Sequence, residues 1–164
     1  MNDSNGVVFL EKNLARQLAW IAAADSKISF VFAVDMAMLG VLAALSPKQA
    51  AGWTVATAVF GALAALACVA SLALLSVASF PRTRGPKGSL VFFGGISKRE
   101  LRQFIESVCQ LTTEAYVEDL CAQCHRNAEI AESKFAWVQR ALLALYLSVA
   151  PWALAVYLLY AGVN

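Results

Sequence analysis

Cys121-Ala-Gln-Cys124-His125 has the spacing that attaches a c-type haem, and Cys109 lies near enough in sequence to join a zinc set. Neither chemistry is well supplied. Haem attachment needs an exported site, whereas this segment is expected to be cytoplasmic, and the second CxxC pair that zinc would want is missing. Both thiols also recur in phase with an apolar helical seam, so they are expected to be packed core cysteines. Four cysteines in a largely cytoplasmic and membranous chain do not suggest disulfides. His125 is the only histidine, and no Ser/His/Asp set, paired carboxylates, Walker loop or dinucleotide fingerprint accompanies it. The expectation is a protein that is not an enzyme, with no catalytic residues, no cofactor and no metal.

Two other groups of residues have more to offer. Asp35 stands inside an otherwise uncharged apolar run, where a carboxylate costs about 2.5–3.5 kcal/mol on insertion scales. It must face other helices or a wet cavity, either as part of a polar pathway or gate or as one interhelical hydrogen bond. Arg82, Arg84, Lys87, Lys98, Arg99 and Arg102 form a basic concentration relieved only by Glu100. Such a cluster beside a membrane attracts anionic lipid by default. This one adjoins Gly94-Gly95 and Ser97, and Ser97 with Glu100 reads as a capping box opening a helix over about 98–110. Backbone N–H groups at such a helix start bind phosphate, which points to a phosphorylated ligand.

The elements that must position these groups are dictated by hydropathy. Residues 28–45, 53–80 and 141–163 are long apolar stretches, and 53–80 carries no charge. At about 1.5 Å per residue the second reaches roughly 40 Å, enough to cross a hydrocarbon core of about 30 Å with tilt. Of the 13 Lys and Arg residues only Lys48 lies in the connection 46–52. The positive-inside rule therefore places the N-terminal arm and residues 81–140 in the cytoplasm, with Ser46–Gly52 and Asn164 outside. A net charge of +2 is too small to imply a nucleic acid polymer as partner.

The expected organisation is a cytoplasmic helical arm (1–27), two transmembrane helices (28–80), a cytoplasmic helical region (81–140) and a third transmembrane helix (141–164). In the arm, Leu10, Leu14, Leu18 and Ile21 recur at helical spacing. Ser89–Phe93 is a short apolar run suited to an extended segment, and Thr112 or Thr113 should cap the next helix, with Glu114 favourable in its first turn. Val117, Cys121, Cys124, Ala128, Ala131, Phe135, Val138, Leu142, Leu145, Val149 and Trp152 alternate spacings of four and three. That period argues for one long helix entering the third span, kinked and not ended by Pro151. The fold class is an all-α integral membrane protein with three transmembrane helices and a small cytoplasmic helical region, the third span continuous with a long cytoplasmic helix. Ala58, Gly61, Ala62 and Ala65 permit close helix approach, and three spans enclose little volume, so a homo-oligomer is expected.

Phe92-Phe93-Gly94-Gly95-Ile96-Ser97, then Phe104, Tyr116-Val-Glu-Asp-Leu120 and Asn127-Ala-Glu-Ile-Ala-Glu-Ser-Lys134-Phe, resemble the Pycsar-effector transmembrane family of small bacterial antiphage proteins. Ala24-Asp25-Ser26-Lys27, echoed by Ala131-Glu132-Ser133-Lys134, is similar to that family's other marker. The resemblance implies a defence effector of the bacterial inner membrane, activated by a cyclic nucleotide to disrupt membrane integrity and cause abortive infection. It favours a pyrimidine cyclic mononucleotide as ligand; the residues leave a cyclic oligonucleotide open. Phe93, Gly94, Gly95, Ser97, Arg99 and Arg102 are the expected ligand-binding residues, with Phe92 or Phe93 stacking on the base. Lys27 and Lys134, family positions by the same resemblance, either hold a ligand phosphate, orient the arm through Asp25 and Glu132, or anchor their helices at the headgroups. The rival readings are a membrane-anchored scaffold that docks a protein partner without a small ligand, and a constitutive channel or transporter subunit using Asp35.

Overall fold

The computed structural model describes residues 3–49 and 52–161; Asn164, expected outside, lies beyond the described residues. They form five helices, α1 (Asp3–Leu45), α2 (Val55–Ser79), α3 (Phe93–Ile96), α4 (Leu101–Cys109) and α5 (Thr113–Ala161), with no strand among them. α1, α2 and α5 are long and apolar enough to cross a membrane. The starts of the helices obey local chemistry. Thr54 and Thr57 cap α2 reciprocally, each side-chain oxygen accepting the other's backbone N–H at 3.1 and 3.0 Å. Thr112 Oγ1 accepts the Ala115 N–H at 3.2 Å ahead of α5, with Glu114 in the first turn as expected. α5 continues through Pro151 to Ala161.

The chain divides into two compact units, Met1–Ala24 with Pro81–Ser133 and Asp25–Phe80 with Lys134–Asn164. In the second unit the buried positions follow a 3.5-residue period on all three long helices. They include Ile28, Val31, Asp35, Met38 and Leu42 on α1, Ala64, Cys68, Ser71, Leu75 and Ala78 on α2, and Lys134, Val138, Ala141, Leu145 and Ser148 on α5. That is the knobs-into-holes repeat of supercoiled helices, filled on α2 mostly by small residues that let backbones approach. The outer faces are apolar too, with Phe30, Leu66, Leu147 and Tyr157 exposed. Only 22% of the most apolar stretch of α2 is buried inside the protein, so its remaining surface is made for lipid.

This seam corrects half of the one read from the α5 sequence. Cys124, Ala131, Val138 and Leu145 are buried as expected, but Cys121 and Val149 are exposed, and Ala128, Phe135 and Leu142 are only half-buried. The true partners are one residue earlier: Leu120, Asn127, Lys134, Ala141 and Ser148. Three of those five are polar, and a search for apolar periodicity steps over them onto their apolar neighbours. The same happens in the arm, where Gln17 is buried and Leu18 exposed.

The region after α2 also departs from expectation. Ser89 Oγ accepts the N–H groups of Val91 and Phe92 at 3.1 and 2.8 Å, and Asp119 Oδ2 accepts those of Leu90 and Val91 at 2.7 and 3.2 Å. These bonds bend the apolar run 89–93, which was expected to be extended, and Phe92 becomes the N-cap of α3. Gly94 and Gly95 are drawn into that helical turn because Gly95 lies against the Ser89 carbonyl with no room for a Cβ. The helix expected over 98–110 starts at Leu101, with Glu100 as N-cap and no side-chain capping bond. Ser97 instead closes α3, its N–H donating to Phe93 O at 2.8 Å, so the Ser97/Glu100 capping box does not form.

Candidate functional site

Within the first unit, the loop after Pro81 and α3 enclose an open cavity of about 670 Å³. Arg84, Lys87 and Lys98 bring positive charge to it, Phe92 and Phe93 bring aromatic surface, and Gly85, Gly88, Gly94 and Gly95 expose backbone. The two rings stand 4.6 Å apart at 55°. Phe92 lies over both Gly85 and Gly94 so closely that a Cβ on either would strike its ring. Gly88 has φ of 76°, a turn conformation in which a side chain is strained.

Arginines build the wall. Arg99 Nη2 donates to Gly88 O, and Arg126 Nε donates to Arg84 O at 2.9 Å, so the two ends of the 84–88 loop are each held through a carbonyl by a guanidinium. Arg126 is itself fixed by Glu129 at 2.9 Å, and the hydrogen bond from Arg126 pulls the Glu129 carboxyl below its usual range. Arg82 Nη2 donates to Ser133 Oγ at 2.9 Å. Lys87 and Lys98 line the cavity and form no ion pair among the described residues.

Four of the expected ligand-binding residues, Phe93, Gly94, Gly95 and Ser97, line this cavity. Of the N–H groups expected to open a helix just after Ser97, that of Arg99 donates to Ile96 O at 3.1 Å, and the helix itself begins only at Leu101. Arg99 is not part of the lining and reaches it only through its bond to Gly88 O. Arg102 is not part of the lining: its side chain is 91% exposed and pairs with Glu106 at 3.4 Å. Lys27 and Lys134 belong to the second unit. There Lys134 Nζ pairs with Asp25 Oδ1, and Lys27 Nζ sits 5.3 Å from the centre of the Phe135 ring. The Asp25–Lys134 contact joins α1 to α5 within that unit, and Glu132 has no ion pair among the described residues.

Asp35 faces the bundle, fully buried. Ser71 Oγ lies 2.6 Å from Asp35 Oδ2 and 3.1 Å from Ala141 O, one residue from each of the three long helices. It is an interhelical hydrogen bond that ties α1, α2 and α5 together. In the Cys121–His125 segment the two thiols diverge: Cys121 is exposed, correcting its assignment to the core, and His125 is exposed beside Glu129 at 3.7 Å. Cys124 is buried 3.6 Å from Leu10 O, and burial, helped by nearby Cys121, pushes its thiol up in pKa. No group of three or more His, Cys, Asp or Glu among the described residues is placed to hold a metal.

Sequence reasoning missed Asp119 and Arg126, which shape the cavity without touching its interior. Asp119 was visible only as part of the Tyr116–Leu120 motif, and nothing local marks it as a partner of amides 28 and 29 positions earlier. The basic loop Arg82–Gly88 was legible, yet no pattern displays that its Arg84 and Gly88 carbonyls are held by Arg126 and Arg99 from outside it.

Residues 9–161 match the family of the Pycsar effector protein domain, PycTM. The chain belongs to this family. PycTM proteins are antiphage defence effectors linked to cyclic nucleotide signalling, and the three apolar helices are those of a membrane protein. No curated protein and no solved structure matches the chain. The PycTM match spans the residues of the cavity, α2, α5 and all of α1 from residue 9 on.

Proposed function

We propose that this PycTM chain is a non-catalytic effector of the bacterial inner membrane that binds a cyclic nucleotide in the 83–98 cavity and then compromises the membrane. The observation that carries the reading is the cavity's composition: unpaired lysines beside two aromatic rings and glycine backbone, in a volume within the range of about 300–1,000 Å³ usual for small-molecule sites. Lys87 and Lys98 hold the phosphate, with Arg84 close by, and Phe93 stacks on the base. A pyrimidine cyclic mononucleotide is the favoured ligand. Arg99 acts as a positioning residue through Gly88, and Arg102, Lys27 and Lys134 are not ligand contacts in this reading.

The N-terminus and the loop-bearing unit face the cytoplasm, where the basic residues concentrate and the messenger is made. Ligand binding changes the loop, and through Asp119 and Arg126 it reaches α5, which runs unbroken into the third span. The ligand acts by favouring one arrangement of that helix over another. Several copies are needed to open a route through the bilayer, since three helices packed on a filled seam leave none. The test is titration of purified, detergent-solubilised protein with a panel of cyclic mononucleotides and cyclic oligonucleotides. The expected result is saturable binding of one of them that falls at least about tenfold in Lys87→Gln/Lys98→Gln, a loss of about 1.4 kcal/mol. Equal binding by parent and double variant, or no binding by any member of the panel, contradicts the assignment.

A further inference from the structure

The hydrogen bonds around Asp35 need one more hydrogen than the neighbouring hydroxyl can give. Ser71 Oγ lies 2.6 Å from Asp35 Oδ2 and 3.1 Å from Ala141 O, so two accepting oxygens face a hydroxyl that carries a single hydrogen. With an ionised carboxyl, one of the two contacts would set lone pair against lone pair. A proton on Oδ2 satisfies both: Oδ2–H donates to Ser71 Oγ, and the Ser71 hydroxyl donates to Ala141 O. Nothing at the site balances a negative charge. Asp35 is fully buried, and its Oδ1 has no hydrogen-bond partner among the described residues. α2 carries no charged residue. From residue 134 on, α5 carries only Lys134, which pairs with Asp25, and exposed Arg140, which lies 4.6 Å from the centre of the Trp137 ring. The nearest cation along α1 is Lys27, about two turns earlier, exposed beside Phe135. The titratable neighbour of Asp35 is the buried Cys68 thiol on α2, and the buried Ser148 hydroxyl on α5 donates to Leu145 O at 2.6 Å. Burying an unpaired carboxylate in such surroundings costs far more than burying the neutral acid.

We propose that Asp35 is a proton-binding site that locks the bundle: its side chain is the neutral acid while α1, α2 and α5 are packed around it, and it gives the proton to water when they part. Parting breaks the Asp35 Oδ2–H bond, the proton goes to bulk water, and the carboxylate left behind is hydrated. Only the parted state ionises readily, so each rise of one pH unit favours it by about tenfold. That dependence starts at the ordinary aspartate range of about 3.9 and ends where the packed bundle also loses its proton. Packing is therefore strongest in acid and weakens as the pH rises. The proposal concerns the three long helices alone and holds whether or not a nucleotide binds elsewhere.

The test is infrared spectroscopy of the full chain in lipid nanodiscs at neutral pH. The parent should show the carbonyl stretch of a protonated carboxyl group, slow to exchange in heavy water, and Asp35→Asn should lack it. Ser71→Ala should keep that band but move it, because the acid loses its acceptor; this variant carries the test if Asp35→Asn does not fold. Parting the helices with dodecyl sulfate in weak buffer, followed by a pH-indicator dye, should release about one more proton per chain from the parent than from Asp35→Asn. Absence of a protonated-carboxyl band from the parent at neutral pH overturns the proposal. So does a band that persists in Asp35→Asn or is indifferent to Ser71→Ala, which would place the proton on another carboxyl. Equal proton release by the parent and Asp35→Asn contradicts the link between the proton and the packing.

Discussion

The two units solve the problem of buried polar groups in opposite ways. In the Asp25–Phe80 and Lys134–Asn164 unit, a carboxylate, two serines and a cysteine lie fully buried in a seam of small and apolar side chains, and the hydroxyls bond inward to Asp35, Ala141 O and Leu145 O. With lipid on the outside there is no other supply of partners. In the Met1–Ala24 and Pro81–Ser133 unit, side chains reach instead for loop backbone: Arg99 and Arg126 take carbonyls, Asp119 takes amides, and Ser89 folds back on its own turn. The first arrangement fixes helices against one another. The second shapes a concave loop and leaves lysines unspent, which is the arrangement a binding site requires.

The largest effect that would sharpen this contrast is expected from Leu75→Ala, at one of the most buried positions of the membrane unit. The cavity should cost about 2–3 kcal/mol, the lower part of the range for buried leucines, because the separated helices in lipid gain no water-exposed surface. Thermal unfolding in detergent should report that loss while nucleotide affinity stays unchanged. A parallel fall in affinity would show that the two units do not divide the labour as described.

Ser71 and Asp35 should respond unequally. Ser71→Ala leaves Asp35 Oδ2 without its hydroxyl, and Asp35 Oδ1 already has no partner among the described residues, so a loss of about 1–2 kcal/mol is expected. Asp35→Leu leaves the Ser71 hydroxyl bonded to Ala141 O and should cost less. Unfolding midpoints of the two variants measured side by side decide it; a larger loss for Asp35→Leu would make the carboxylate, not its partner, the structural requirement.

Arg99→Gln should have the smallest effect on stability and a clear one on the site. It weakens the hold on Gly88 O, so ligand affinity should fall about three- to tenfold with little change in unfolding temperature, given the modest net worth of a partly exposed charged hydrogen bond. Unchanged affinity would mean that the 84–88 loop needs no clamp.

Much of the membrane unit was legible from sequence because apolar length and uncharged composition are strong signals, and Asp35 could only face inward. Pro151 inside α5 and the Thr112 cap followed from equally local rules. The phase of the seam was half lost because Asn127, Lys134 and Ser148 occupy buried positions that hydrophobic periodicity rejects. Phe93, Gly94, Gly95 and Ser97 line the 83–98 cavity, but their conformation was not legible. α3 exists because Asp119 and Ser89 gather the amides before it, and the Asp119 contribution comes from a distant helix that no local pattern includes. Arg102 was drawn into the expected site by its place in a basic cluster, although its turn of α4 points it to solvent beside Glu106.

The proposed coupling runs from occupancy of the loop-bearing unit to the state of the membrane. Dye release from proteoliposomes containing the full chain tests it most directly, with cyclic nucleotides supplied on the outside and protein oriented by its basic segment. The account predicts ligand-dependent release by the parent and none by Lys87→Gln/Lys98→Gln at the same reconstituted density. Release without ligand, or equal ligand-dependent release by the double variant, would contradict it.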